Sequence, residues 1–314
     1  MTKNYRLSLS RKTRTSYGGL LILWQLFFSA FCIYLSLQNS LLFWLAGQIL
    51  LGISLLQWFF IEHDLGHGTF LPSHKLSQAF GLIASVFTLI PYTPWVDVHH
   101  AHHKWTGWRE KDPTIPARKL EDLSPFTRHL IDFLWKYWIP VIALTYVITT
   151  FWNLKKLKIY FPERKKIRSH QLQIAFLMII YVGLILLFGL TFIKVWLGAF
   201  IVYLFISDPY LLSQHTHLEY KNAQEEPIKP VRYIDQDTYS RTVRFPNWVE
   251  KYIFYNSNNH GLHHQFPWIP IYVLHQHKTK NENTIDWVQW LSISKKIPGH
   301  ILIYSDRTHS GYNI

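Results

Sequence analysis

Apolar positions in this chain gather into long uncharged runs. Tyr17 to Ile61 is 45 residues without one Asp, Glu, Lys or Arg, Gln171 to Ile193 is 23, and Val195 to Ser207 is 13. Uncharged apolar runs of about 18 residues or more predict membrane-spanning helices. As helix, the first run is roughly 67 Å long, about twice the thickness of the hydrocarbon core. It must fold back, and Gln38-Asn39-Ser40 supplies a polar turn. The pattern predicts spans at 17–37, 41–61, 171–191 and 194–212, with Glu62 and His63 emerging beyond the second.

Two further apolar stretches are broken or charged. The run from Leu76 to Trp95 holds Gly81, Pro91 and Pro94, and proline interrupts regular helix. It reads as a buried or interfacial segment. Residues 130–151 contain Asp132 and Lys136 and precede Lys155, Lys156, Lys158, Arg164, Lys165, Lys166 and Arg168, with Glu163 the one acid in that basic stretch. Basic loops stay cytoplasmic. A crossing by 130–151 would put this loop on the wrong side, so 130–151 reads as interfacial or re-entrant. Residues 213–314 have no run long enough to cross.

The N-terminal flank carries Lys3, Arg6, Arg11, Lys12 and Arg14 and no acid. The apolar run after it is too long for a cleaved signal peptide and lacks a small-residue cleavage site. The expected organisation is a basic N-terminus (1–16), a membrane domain (17–275) and a C-terminal tail (276–314). The expected fold is an all-α integral membrane protein. Four transmembrane helices carry interfacial helices and a cytoplasmic histidine-rich cap, and both termini are cytoplasmic.

Composition refines this. Mean hydropathy over the 314 residues is +0.02, as in a soluble protein, but it averages uncharged spans with basic loops. Only 16% of residues are charged, which excludes intrinsic disorder. A single cysteine, Cys32, excludes a disulfide scaffold, a four-cysteine cluster and a cysteine-rich zinc module. The net charge of +13 would suit nucleic acid, but among membrane spans it points to orientation and to contact with membrane lipids.

The candidate chemistry lies in the histidines. Of 18, nine fall into three boxes and one extra position. His63-Asp64-Leu65-Gly66-His67 is H-x-x-x-H. His99-His100-Ala101-His102-His103 and His260-Gly261-Leu262-His263-His264 each contain H-x-x-H-H, and His215-Thr216-His217 follows the last span. On a helix, residues three or four apart share a face, so one box can direct two imidazoles at one ion. The fifth position of H-x-x-H-H points about 100° further round and can serve a neighbouring ion. About nine imidazoles exceed the needs of one ion and suit two. Imidazole suits Zn, Cu, Fe and Ni. The Glu-x-x-His pairs of ferritin-like di-iron bundles do not occur. The proposed topology puts every box on the cytoplasmic side.

These boxes, HDLGH, HHAHH and HGLHH, together with QHTH after the last span, resemble the membrane fatty acid desaturase superfamily. HDLGHGTF and QHTH are similar to acyl-lipid desaturases of the delta-12 and omega-3 type. The resemblance covers roughly residues 40–275. It implies a non-haem di-iron, O2-dependent oxidoreductase that introduces a double bond into an acyl chain. Carried over, the ligands are His63, His67, His99, His102, His103, His260, His263 and His264. A ninth is His215, with His217 as the alternative. The substrate is a fatty acyl lipid, acyl-CoA or acyl-carrier conjugate. The chain lacks a cytochrome b5-like His-Pro-Gly-Gly, which implies an external electron donor, a ferredoxin or a cytochrome b5. The setting is a multi-pass protein of a bacterial inner membrane, with no nucleic-acid partner.

Other readings remain open at this point. A lipid or carotenoid hydroxylase or ketolase on the same scaffold would use the same ligands. HDLGH is similar to the zincin H-E-x-x-H, but Asp64 is one methylene shorter than the zincin glutamate and two boxes would go unexplained. A metal transporter would place polar groups inside its spans, and these spans carry no His, Asp or Glu before their cytoplasmic ends. A tunnel ending at the histidines would favour the enzyme; a polar pore would favour transport. Asp64, Asp97, Asp208 and Glu219 lie close to the boxes and are candidates to orient ligand imidazoles. Tyr17 and Trp95 are expected as interface anchors. His74, His129, His170, His275, His277, His300 and His309 are expected to be solvated or interfacial.

Overall fold

The computed structural model describes residues 11–116, 118–224, 226–277, 283–312 and 314. The first part of the basic flank, residues 1–10, lies outside them. Helix α1 (Arg11–Leu37) and helix α2 (Leu41–Gly66) pack antiparallel across the turn at residues 38–40. Helix α3 (His74–Thr88) and helix α4 (Tyr92–Trp105) meet at a bend of 99°. The bend falls where Leu89 takes φ 62° and Pro91 caps α4, so the broken run 76–95 becomes two helices at a right angle. The stretch 130–151 is also two pieces, α5 (Pro125–Lys136) and α6 (Ile142–Phe151). Pro140 and Trp138, at φ 53°, interrupt them. After α7 (Leu154–Tyr160) come α8 (Arg164–Phe188) and α9 (Leu190–His215).

Four helical segments are long and apolar enough to cross a membrane, Ser16–Leu37, Leu41–Gly66, Arg164–Phe188 and Leu190–His215. They run beyond the expected spans at several ends. The last two hinge at Gly189, with φ 51°, rather than between residues 191 and 194. Helix α2 also continues past Ile61. Glu62 does not emerge into water; it is fully buried and accepts a 2.6 Å hydrogen bond from Thr88 Oγ1. The outer faces are apolar, with Leu186, Leu187 and Leu190 about 80% exposed. Such a surface belongs in lipid.

Between the spans the contacts are polar and close. Gln25 Nε2 donates to the Ser54 carbonyl at 3.0 Å and to its hydroxyl at 2.8 Å, and Trp58 Nε1 reaches Ser29 at 2.9 Å. Gln48 ties α2 to Ser36 of α1 and to Val195 and Ala199 of α9. Without water in the hydrocarbon, each of these groups needs a protein partner. Glycine allows the approach: a Cβ on Gly52 would lie 2.6 Å from Val202.

The remaining chain forms a cap. A 3₁₀ turn (Tyr233–Tyr239) leads into β1 (Thr242–Arg244), α10 (Asn247–Tyr252), α11 (His260–Gln265) and α12 (Ile271–Leu274). Strand β2 (Thr284–Asp286), α13 (Trp287–Ser294), α14 (Gly299–Tyr304) and α15 (Arg307–Ser310) follow. The fold is therefore not purely helical. β1 and β2 pair in parallel, Thr242 opposite Thr284. The segment expected as a tail is packed into the body. Trp290, Ile297 and Leu302 form a core with Trp135 of α5, and Gly299 lies against Trp135.

Gly52→Leu is expected to force α2 from α9 and to destabilise the protein by about 1–3 kcal/mol. Gly183→Ala meets open space and is expected to be neutral or to stabilise by up to about 1 kcal/mol. Thermal unfolding in detergent checks both.

Candidate metal centre

Four chain segments deliver histidines to one place. His63 sits in the last turn of α2 and His67 caps it. His99, His102 and His103 lie on α4, His215 is the last residue of α9, and His260, His263 and His264 lie on α11. They sort into two clusters. His63, His67, His99 and His263 each offer a ring nitrogen within 4.8 Å of the others, as do His102, His215, His260 and His264. His103 joins the first group, its Nε2 3.0 Å from the Nε2 atoms of both His99 and His263. The consecutive residues His102 and His103 thus serve different clusters, as do His263 and His264, because neighbours on a helix point about 100° apart. His217 is not among them. It takes φ 60°, is buried, and pairs through Nε2 with Ser310 Oγ at 2.7 Å.

The electrostatics of the second cluster test what it can hold. His102 Nδ1 meets Asp112 Oδ2 at 2.7 Å, His215 Nδ1 meets the Tyr239 carbonyl at 2.8 Å, and His264 Nδ1 meets Gln236 Oε1 at 3.0 Å. Each partner is an acceptor, so each Nδ1 carries the proton. Burial and the neighbouring imidazoles hold the His260, His263 and His264 pKa values well below the usual range, so these rings are neutral. Nε2 of His264 is then a bare lone pair, and the Nε2 atoms of His102, His215 and His260 converge on it. They face one another, with His102 3.1 Å from His215 and 3.3 Å from His264. Two bare lone pairs at that distance repel, so a shared proton or a cation must lie between the rings. A largely buried, all-imidazole donor set fits divalent transition ions, and among the described residues no thiolate or carboxylate joins either cluster.

Other candidates fall elsewhere. Asp64 does approach a box histidine, with Oδ1 3.2 Å from His63 Nδ1, while its other oxygen accepts from Ile271 N at 2.8 Å. Asp97 does not; it pairs with His170 at 2.8 Å and Lys166 at 3.2 Å, tying α4 to α8. His170 is accordingly buried, not solvated. Asp208 caps α6, accepting from Ile142 N at 3.2 Å and Ala143 N at 2.6 Å. Glu219 pairs with Arg307 at 2.6 Å. Trp95 is not an interface anchor: it is buried and stacks on His99, ring centroids 4.6 Å apart. His300 and His309 pair with Asp132 and Asp306.

Asp112, Gln236 and the Tyr239 carbonyl carry no box signature. Asp112 lies ten residues after His102 in a loop, where Oδ1 accepts from Thr114 N and Thr114 Oγ1. Its Asp-x-Thr turn pattern was the only signal. Burial would raise the Asp112 pKa, but the charge and hydrogen bond of His102, with the side-chain and backbone hydrogen bonds of Thr114, bring it below the usual value.

A cavity of about 500 Å³ adjoins the clusters. Leu56, Phe59, Phe200 and Leu204 line it within the spans, Val147 and Ile131 flank it on α6 and α5, and His63, His99, His102, His215, His260 and His263 face it at the cap.

Asp208→Ala removes the cap of α6 and is expected to cost about 0.5–2 kcal/mol of stability, read from thermal unfolding.

The chain is similar to known proteins over most of its length. The fatty acid desaturase family profile matches residues 39–293. An omega-3 fatty acid desaturase of the endoplasmic reticulum from Vigna radiata var. radiata is 25% identical, over 85% of this chain and 72% of that protein. The acyl-lipid omega-3 desaturase (cytochrome b5) of the endoplasmic reticulum from Arabidopsis thaliana is 26% identical, over 69% of this chain and 58% of that protein. The sn-1 oleoyl-lipid 12-desaturase of Picosynechococcus is 25% identical, over 72% of this chain and 65% of that protein. Four candidate membrane spans, histidine clusters at their ends that could hold metal and this match over 39–293 agree: the chain is a membrane protein belonging to the fatty acid desaturase family, whose members are oxidoreductases.

Proposed function

We propose that the protein desaturates acyl chains of membrane lipids at a pair of iron ions. The observation that carries this is the cavity. It is largely apolar, it reaches between α2 and α9, and imidazoles of both clusters line it. A metal transporter would need a polar path through the spans instead. Each methylene taken into such a cavity gains about 0.8 kcal/mol, so an alkyl chain binds without polar handles.

In this reading His63, His67, His99, His103 and His263 hold one ion, and His102, His215, His260 and His264 the other. When bound, the irons supply O2-dependent oxidation: one O2, two electrons and two protons are consumed as two neighbouring CH2 groups each lose a hydrogen, leaving a C=C bond and two waters. The chain's own part is placement. Phe59 and Leu204 keep the alkyl chain beside the clusters and water out. Trp95 packs on His99, and Asp112, Gln236 and the Tyr239 carbonyl fix the imidazoles that face the cavity or its wall.

The cap faces the cytoplasm, which in a bacterium is the inner face of the inner membrane. The basic stretch from Lys155 to Arg168 supports that orientation. The same charges would steer an acidic donor of the ferredoxin or cytochrome b5 type, and a relative is named for cytochrome b5. Acyl lipid is the favoured substrate because two of the relatives above are named as acting on lipid-bound chains.

Expression in a host without polyunsaturated lipids, followed by lipid mass spectrometry, tests the reading. New diene chains are expected; hydroxylated chains or oxygenated carotenoids would overturn it in favour of a hydroxylase or ketolase. His63→Ala, His102→Ala and His263→Ala should each bring product below detection with the protein still in the membrane. Full product from any of them would remove that histidine from the site. His309→Ala should match the parent.

A further inference from the structure

The two clusters are not held alike. In the second, Nδ1 atoms of three imidazoles have acceptors at 2.7–3.0 Å. Asp112, one of these acceptors, is itself fixed by Thr114 and buried to 2% exposure. Gln236, another, is fully buried. Its Oε1 accepts from His264, and its Nε2 donates to the His103 carbonyl at 2.8 Å and the Val231 carbonyl at 3.2 Å. Thr106 adds a bond to the His102 carbonyl at 2.6 Å. In the first cluster the contrast is plain. Its carboxylate contact, from Asp64 to His63, is 3.2 Å long and shared with Ile271 N. Among the described residues, the buried Nδ1 atoms of His103 and His263 have no hydrogen-bond partner at all.

An imidazole pinned at Nδ1 keeps its ring orientation and tautomer when metal leaves, so metal returns to a prepared site. An unpinned ring can rotate, and its nitrogens can exchange roles. Loss of one such outer partner typically costs a metal site about 10–100-fold in affinity. The first cluster has five imidazoles against four, but the pinning favours the second.

On the two-metal reading above, we propose that Asp112, Gln236 and the Tyr239 carbonyl act as positioning groups that make the His102, His215, His260, His264 cluster the tighter of two unequal metal positions. The protein then releases its ions in two separable steps, the first from the cluster built on His63, His67, His99, His103 and His263.

The test uses the full chain in lipid nanodiscs, loaded without oxygen with Co(II) and then transferred to excess chelator. Retained cobalt is read by mass spectrometry and by its ligand-field absorption. Two phases of one ion each are expected, at least about ten-fold apart in rate. Asp112→Asn and Gln236→Leu should each accelerate the slow phase about 10–100-fold and leave the fast phase as it was. Gln236→Glu, which keeps an acceptor for His264, should restore the slow phase, which a general packing defect would not allow. His67→Ala should lose the fast-phase ion and retain the slow one. Release of both ions in one phase would overturn the proposal while leaving two metals in place. So would acceleration of the fast phase alone in Asp112→Asn and Gln236→Leu. A chain that retains no cobalt would overturn the metal reading itself, and this proposal with it.

Discussion

Neutral imidazoles whose Nδ1 protons are already committed must turn bare Nε2 lone pairs toward whatever lies in front of them, and here they face one another. That constraint organises the protein. His264 is held this way by the Gln236 amide, and the Asp112 carboxylate and the Tyr239 carbonyl take the Nδ1 sides of His102 and His215. The arrangement suits a divalent cation, toward which every Nε2 can turn a lone pair. To build it, α2 and α9 must end at the same depth, α4 must turn across them, and α11 must close from the cap. The 99° bend between α3 and α4 is part of this geometry, because a straight helix would carry His99–His103 away from His63 and His215.

The spans provide the platform, and their interior is more polar than their hydropathy suggests. Gln25, Ser29, Ser54 and Trp58 form a buried network between α1 and α2, and Gln48 reaches α1 and α9 together. Lipid cannot compensate an unpaired amide, so these contacts set the rotation and depth of α2. Small residues such as Gly52 then let α9 approach closely. The result is a closely packed pair of helices with a largely apolar cavity beside them, lined in part by the histidines.

The cap completes the centre through one short segment. Residues 236–242 touch three of the four histidine-bearing elements. Gln236 joins His103 and His264, the Tyr239 carbonyl holds His215, and Thr242 Oγ1 accepts from Gly261 N at 3.1 Å. Arg241, almost fully buried, donates to the Ser213 carbonyl just before His215 at 2.9 Å. The parallel pairing of β1 with β2 anchors this segment from outside, which explains why the chain beyond residue 283 packs into the body and does not hang free.

Much of this was legible from local pattern. Uncharged runs identify the spans because the hydrocarbon penalises charge at every position, and box spacing identifies the converging histidines because helical periodicity is itself a local rule. The acidic partners were harder. Proximity in sequence suggested Asp97 and Asp208, yet Asp97 faces His170 and Lys166 across to α8 and Asp208 caps α6. Asp112, Gln236 and Tyr239 act on His102, His264 and His215 from a loop and a 3₁₀ turn whose positions no box spacing encodes. The amino-acid order alone determined the membrane-spanning helices and the histidine boxes, since both follow from residue type and period. Only the tertiary structure decided how the boxes divide into two clusters, which Nδ1 atoms are pinned and which residues line the cavity, because those depend on contacts between residues far apart in the chain.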